Sequence, residues 1–239
     1  MTNVWAWPGG MTAAGPASRS DSRFRDAFLS TVAAGALSLA FGGTALAGPD
    51  ACTIDGTGTI ETCTGNQSAG ISVGPVTAIT TLNVNNLTQA ITPASGTDGI
   101  IFTSAGAATI TSNTGAFGIT TAGDNANGIY ARGNGAGAVT VTSTGNITTA
   151  GGNAYGIRAV GFGGSGAPTT VTSTGNITTA GSSAHGIYAR SNGAGAVTST
   201  GNITTAGATA YGIKAAGFGA VTVTSTGNIT TGGTGAGGD

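Results

Sequence analysis

The chain has 239 residues, 46 of them glycine; only 6% are charged, and the formal net charge is −1. A charge set so sparse and so nearly balanced argues against an electrostatic nucleic-acid binder or an anionic-membrane binder. Low charge with abundant glycine is compatible with disorder, but Val, Ile and Gly-Ile recur here at fixed positions, an inward register that disordered chains lack.

Residues 1–47 read as a secretory signal. Arg19, Arg23 and Arg25 precede an apolar stretch densest from Val32 to Phe41, and Ala45-Leu46-Ala47 offers a small-x-small site, which places cleavage between Ala47 and Gly48. The segment before the arginines is long, so Met11 is an alternative start. A membrane anchor is the competing reading, but Ser30, Gly35, Ser38, Gly42, Gly43 and Thr44 dilute the stretch below what a span needs.

Residues 48–70 read as an N-terminal cap. They hold the only two cysteines, Cys52 and Cys63, around a stretch that resembles a hairpin with Gly56 or Gly58 in its turn. Export to an oxidising compartment predicts a Cys52–Cys63 disulfide. Metal binding would need further soft ligands, and the sole histidine, His185, is far along the chain. A stapled hairpin suits the end of a stack, where an unpaired strand edge invites aggregation.

Residues 71–231 are repeats. The phrase Ser-Thr-Gly-Asn-Ile-Thr occurs four times, with its asparagine at Asn146, Asn176, Asn202 and Asn228. A Gly-Ile pair marks each unit, its isoleucine at 71, 100, 129, 157, 187 and 213, so successive marks lie 29, 29, 28, 30 and 26 residues apart. A drifting period in this range signals stacked units that cannot bury their apolar faces alone. Each unit offers three short β-branched stretches with period-two alternation, as in Val139–Thr142, Asn146–Thr149 and Gly156–Val160. Three strands per unit predict an all-β, right-handed parallel β-helix of about six coils, rising about 4.8 Å per coil. Ile147, Ile157 and Val141 should point inward, and Thr140, Thr142, Thr148 and Arg158 outward. The repeated asparagine matches a glycosylation sequon, but its fixed place after glycine favours a turn residue in a coil-to-coil hydrogen-bond ladder. Gly161-x-Gly163-x-x-Gly166 matches a dinucleotide fingerprint without the βαβ context that would give it meaning.

A signal, a cysteine pair closing with Cys63-Thr64-Gly65-Asn66-Gln67-Ser68-Ala69-Gly70-Ile71, and Val-Thr-Ser-Thr-Gly-Asn-Ile coils follow one another. In that order the chain resembles the passenger of a bacterial type V autotransporter of the α-proteobacterial type, over essentially all of residues 25–239. The resemblance implies a β-helix carried through a C-terminal β-barrel translocator and displayed on the cell surface, often as an adhesin. The sequence departs from the family in having no barrel strands before the Gly-rich stretch 232–239. The expectation is therefore a passenger fragment that would stay in the periplasm if expressed alone.

Three functional classes compete. The first is a surface structural or adhesive rod that presents columns of outward side chains and needs no cofactor, metal or catalytic residue. Its candidate binding face follows the Gly-Ile marks: Tyr130, Arg158, Tyr188 and Lys214 come directly after the isoleucine, and Arg132 and Arg190 two positions further on. Glycans or acidic polymers are the partners such a face would take, although even spacing of like charges also explains the alternation. The second class is an ice- or crystal-surface binder built on the pairs Thr109/Thr111, Thr140/Thr142, Thr170/Thr172 and Thr222/Thr224, broken once at Ala196. The third is a pectate-lyase-like enzyme. It is disfavoured because Asp98 and Asp124, the acids of the coils, fall at different places in their units.

Overall fold

The computed structural model describes residues 49–76, 78–163 and 166–234. The signal segment, the Ala47–Gly48 bond and residues 235–239 lie outside the described residues.

The period resolves into three sheets that the chain visits in rotation. Sheet 1 comprises β1 (Thr53–Ile54), β2 (Ile60–Gly65), β4 (Thr81–Leu87), β6 (Ala108–Asn113), β9 (Val139–Thr144), β12 (Thr169–Ser173), β15 (Gly195–Ser199) and β18 (Val221–Ser225). Sheet 2 comprises β3 (Ile71–Val76), β5 (Ile100–Ser104), β8 (Ile129–Gly133), β11 (Ile157–Gly161), β14 (Ile187–Ser191) and β17 (Ile213–Gly217). Sheet 3 comprises β7 (Ile119–Thr121), β10 (Ile147–Thr149), β13 (Ile177–Thr179), β16 (Ile203–Thr205) and β19 (Ile229–Thr231). Every pairing except β1–β2 is parallel, and β1–β2 is the antiparallel hairpin of the cap. The protein is a parallel β-solenoid of about six turns, with no helix among the described residues.

Equivalent residues stack in register. Ile147, Ile177 and Ile203 pair directly in sheet 3, and Ile157, Ile187 and Ile213 in sheet 2. Leu82, Ile110, Val141, Val171 and Val197 form the matching column of sheet 1. These three columns are buried and meet at the centre of each coil, while the alternate residues face outward. The threonine that follows Ile-Thr in sheet 3 turns inward despite its hydroxyl. Thr121, Thr149 and Thr179 donate to the carbonyls of Ala126, Ala154 and Ala184 at 2.7, 2.6 and 2.6 Å, which offsets the cost of burying a polar group.

Close stacking also explains the Gly-Ile mark. A Cβ on Gly128, Gly156 or Gly186 would collide with the Cγ2 of Ile147, Ile177 or Ile203 and press on the glycine carbonyl of the next coil. Glycine is required at this corner because backbone and isoleucine share the space that a side chain would fill.

The repeated asparagines form the ladder that their spacing suggests. The side-chain oxygens of Asn146, Asn176 and Asn202 accept the backbone N–H of the asparagine one coil on, at 3.0, 2.9 and 2.9 Å. At the start of the stack, Cys52 and Cys63 are disulfide-bonded. In the chain-entropy account such a short loop contributes about 2–3 kcal/mol. The hairpin reaches further into the fold than its sequence suggests, because β2 also pairs in parallel with β4 and so is the first rung of sheet 1.

The buried and exposed faces of β13 give a direct test of this packing. Ile177 is fully buried, whereas Thr178 beside it is exposed. Ile177→Asn should cost about 3 kcal/mol or more, through the lost packing and an unsatisfied amide. Thr178→Asn should stay within about 0.5 kcal/mol of the parent. Urea unfolding midpoints of the two variants check this.

Candidate functional site

Outward residues differ sharply between the sheets. Sheet 1 shows threonine, in two columns running from Thr81 to Thr222 and from Asn83 to Thr224, interrupted only by Ala196 in the first. Sheet 2 carries Tyr130, Tyr188 and all four basic residues beyond Arg25, and the turns that lead into its strands hold Tyr155, Tyr211 and the only histidine, His185.

Parallel register builds this face column by column. Ile101, Tyr130, Arg158, Tyr188 and Lys214 are neighbours in one column; Thr103, Arg132, Val160, Arg190 and Ala216 form the next. All six residues singled out from the sequence (Tyr130, Arg132, Arg158, Tyr188, Arg190 and Lys214) therefore lie on one sheet. A further column precedes each Gly-Ile pair and was missed: Asp98, Asn127, Tyr155, His185 and Tyr211. Its signal was available, since these residues share one offset from the mark just as the other columns do. Phe162, just past β11, is a second omission.

The added rings organise the cations. The Arg158 guanidinium lies 4.9 Å from the centroid of Tyr130 and 5.5 Å from that of Tyr155. Arg132 and Arg190, two coils apart, lie 4.8 and 5.4 Å from the ring of Phe162 in the coil between them. Lys214 Nζ lies 5.1 Å from the Tyr211 ring. Tyr155 stacks on Tyr188 at 5.5 Å, and His185 packs against Tyr155, Tyr188 and Tyr211 at 5.1, 6.0 and 5.2 Å. Each ring face attracts a cation through its quadrupole, which helps to hold positive charge beside its like. Among the described residues none of the four basic side chains forms an ion pair. Arg132 donates from Nε to Asn134 at 2.7 Å, whereas Arg158 Nε is buried with no hydrogen-bond partner. At the far end of the face, Arg190, Ser191, Ala216, Gly217 and the exposed Phe218 line a shallow depression.

The missed column is a second polar ladder. Asp98 Oδ1 accepts from the Asn127 backbone at 2.6 Å, Asn127 Oδ1 from the Tyr155 backbone at 3.1 Å, and His185 Nδ1 from the Tyr211 backbone at 3.1 Å. Burial pushes the Asp98 carboxyl above its usual range, countered by its hydrogen bonds from Asn127 and by the charge of Arg158. Burial, with the nearby Lys214 charge second, pulls the His185 imidazole down to about 4. A neutral ring is what the acceptor role of Nδ1 demands.

Other candidate chemistry is committed to structure. Asp98 and Asp124 occupy different columns, and Asp124 Oδ1 accepts from the Gly152 backbone at 2.8 Å. The one cluster of potential metal-ligating side chains among the described residues is Cys52, Glu61 and Cys63, in which the disulfide removes both thiolates. The geometry defines a β-solenoid with one aromatic and cationic face. No protein-family model, curated protein or solved structure matches the chain.

The His185 contact carries a pH dependence of definite sign. Its folded value lies below the ordinary 6.5, so its contribution to stability is complete above about pH 6.5 and is lost as pH falls towards about 4. His185→Asn puts in its column the acceptor that Asn127 already supplies, without the titration. The stability difference between parent and variant should therefore change between pH 7 and pH 4.5. Parallel denaturation curves at the two pH values would remove His185 from the account.

Proposed function

We propose that this chain is the exported, surface-displayed passenger of an autotransporter-type protein, a non-enzymatic solenoid that serves as structure and adhesin through sheet 2. The carrying observation is the gathering of every tyrosine and every basic residue beyond Arg25 on sheet 2 and the turns that lead into its strands. Folding alone does not call for this, since sheets 1 and 3 keep the same core columns beneath threonine surfaces. The Cys52–Cys63 disulfide is consistent with an oxidising, extracytoplasmic location. A stack held by backbone hydrogen bonds keeps the face rigid, which suits presentation at a distance from the membrane. In this reading its partners are a β-barrel translocator and a surface ligand, and it uses no cofactor.

Fusion of the chain to a translocator barrel in a Gram-negative host tests the reading. Displayed protein should increase adherence of the cells to host tissue or abiotic surfaces several-fold over the barrel alone. Replacement of Arg132, Arg158, Arg190 and Lys214 by Gln should remove that gain while surface labelling persists. Equal adherence with and without the passenger would sink the adhesive reading.

A second reading draws on sheet 1. Its threonine columns are in register, and they extend one coil further than the sequence pairs, to Thr81 and Asn83. Regular hydroxyls on an in-register parallel sheet present an ordered lattice to ice or a crystal face. Thermal hysteresis that falls on replacing Thr142 and Thr172 with bulky residues is the outcome this reading expects, and its absence in the parent protein excludes it.

A further inference from the structure

We infer that sheet 2 binds a linear acidic polysaccharide lying along the stacking axis, one acid group to each coil. This rests on sheet 2 being the recognition face and specifies what it recognises.

The placement of charge carries the inference. Arg132, Arg158, Arg190 and Lys214 occupy four successive strands, β8, β11, β14 and β17, one cation per coil. They alternate between the two adjacent columns, so Arg158 and Lys214 share one and Arg132 and Arg190 the other. Coils rise about 4.8 Å, and columns two residues apart on a strand are separated by about 6.6 Å. The result is a zigzag of positive charge that shifts sides at each step. An extended polysaccharide in which each sugar is flipped relative to the last offers its acid groups on alternating sides in the same way. A ligand lying along one strand would meet only the single cation that the strand carries.

The state of the rings selects the polymer. Nucleic acids bind such surfaces by stacking bases on free aromatic faces. Here Phe162 lies between two guanidinium groups, Arg158 lies over Tyr130 and near Tyr155, and Tyr211 meets both Lys214 and His185. Those faces already serve the cations, and the exposed Phe218 stands singly at the far end, so recognition falls to guanidinium and ammonium donors, which pair with carboxylate or sulfate oxygens. None of the four is ion-paired among the described residues, and the Asp98 carboxyl meets Arg158 through charge alone. Ring contacts also hold the charged groups in place beforehand, which lowers the ordering cost of binding.

The test uses the full chain, exported with its disulfide formed, then purified and titrated by biolayer interferometry against polygalacturonate, heparin, neutral dextran and oligodeoxythymidine. At least one charged polysaccharide should bind and dextran should not. Affinity should fall roughly tenfold or more between about 50 and about 200 mM salt. Fragments shorter than four sugars should bind weakly, because they cannot span four coils. Lys214→Gln should weaken binding severalfold and the four-site Gln variant should abolish it, with unchanged circular dichroism, whereas Thr142→Ala on sheet 1 should have no effect. Arg158→Lys, which keeps the charge, should retain most of the affinity and guards against misfolding of the multiple variant. Failure to bind either charged polysaccharide, equal binding of dextran, or tighter binding of oligodeoxythymidine overturns the inference. Adherence of displayed protein that still depends on the four cations would, in those cases, leave the adhesive reading standing with a different ligand.

Discussion

Everything in this structure depends on in-register backbone hydrogen bonding between one coil and the next. At strand spacing of about 4.8 Å, a residue has its closest neighbours not along the chain but about 26–30 residues away, at the equivalent place in adjacent coils. The backbone therefore dictates a set of one-dimensional columns, and each column has to be compatible with itself. Apolar columns satisfy this by packing isoleucine on isoleucine. Corner columns satisfy it with glycine, where a Cβ would strike an isoleucine and a carbonyl.

Polar columns meet the same constraint by different chemistry. Asparagine can accept from the next backbone N–H, so it repeats unchanged and builds a ladder. The column before the Gly-Ile mark needs an acceptor as well and varies its means, with Asp98, Asn127 and His185 each supplying one. A charged column is the hardest case, since like charges about 5 Å apart repel in proportion to their desolvation. On sheet 2 the cations are staggered between two columns and set against aromatic rings. The arrangement that makes the charge tolerable also fixes its spacing, which ties the stability of the face to its capacity for recognition.

The two ends of the stack differ. At the start, the disulfide-clipped hairpin lays β1 antiparallel on β2, which blunts the edge that a parallel sheet would otherwise offer. At the other end, Val221, Val223 and Phe218 are exposed, and Ile229 is only partly buried.

Periodicity determined the class of fold from sequence alone. Fixed offsets from the Gly-Ile mark placed Ile147, Ile177 and Ile203 in one column and Tyr130, Arg158, Tyr188 and Lys214 in another, because in a solenoid equal offset means equal position. The Cys52–Cys63 bond and the asparagine ladder were legible for similarly local reasons, a short loop and a repeated phrase. Tertiary structure alone decided which columns touch. Tyr155, His185 and Tyr211 belong to a separate column by offset, and only the turn before each sheet 2 strand brings their rings against Arg158, Tyr188 and Lys214. Likewise, strand alternation turns Thr149 inward, but only the fold brings the Ala154 carbonyl across the bend to accept from its hydroxyl, a partner that the equivalent Thr205 lacks. A repeat fixes what lies above and below a residue; the bends between strands, set by packing around the core, fix what lies beside it.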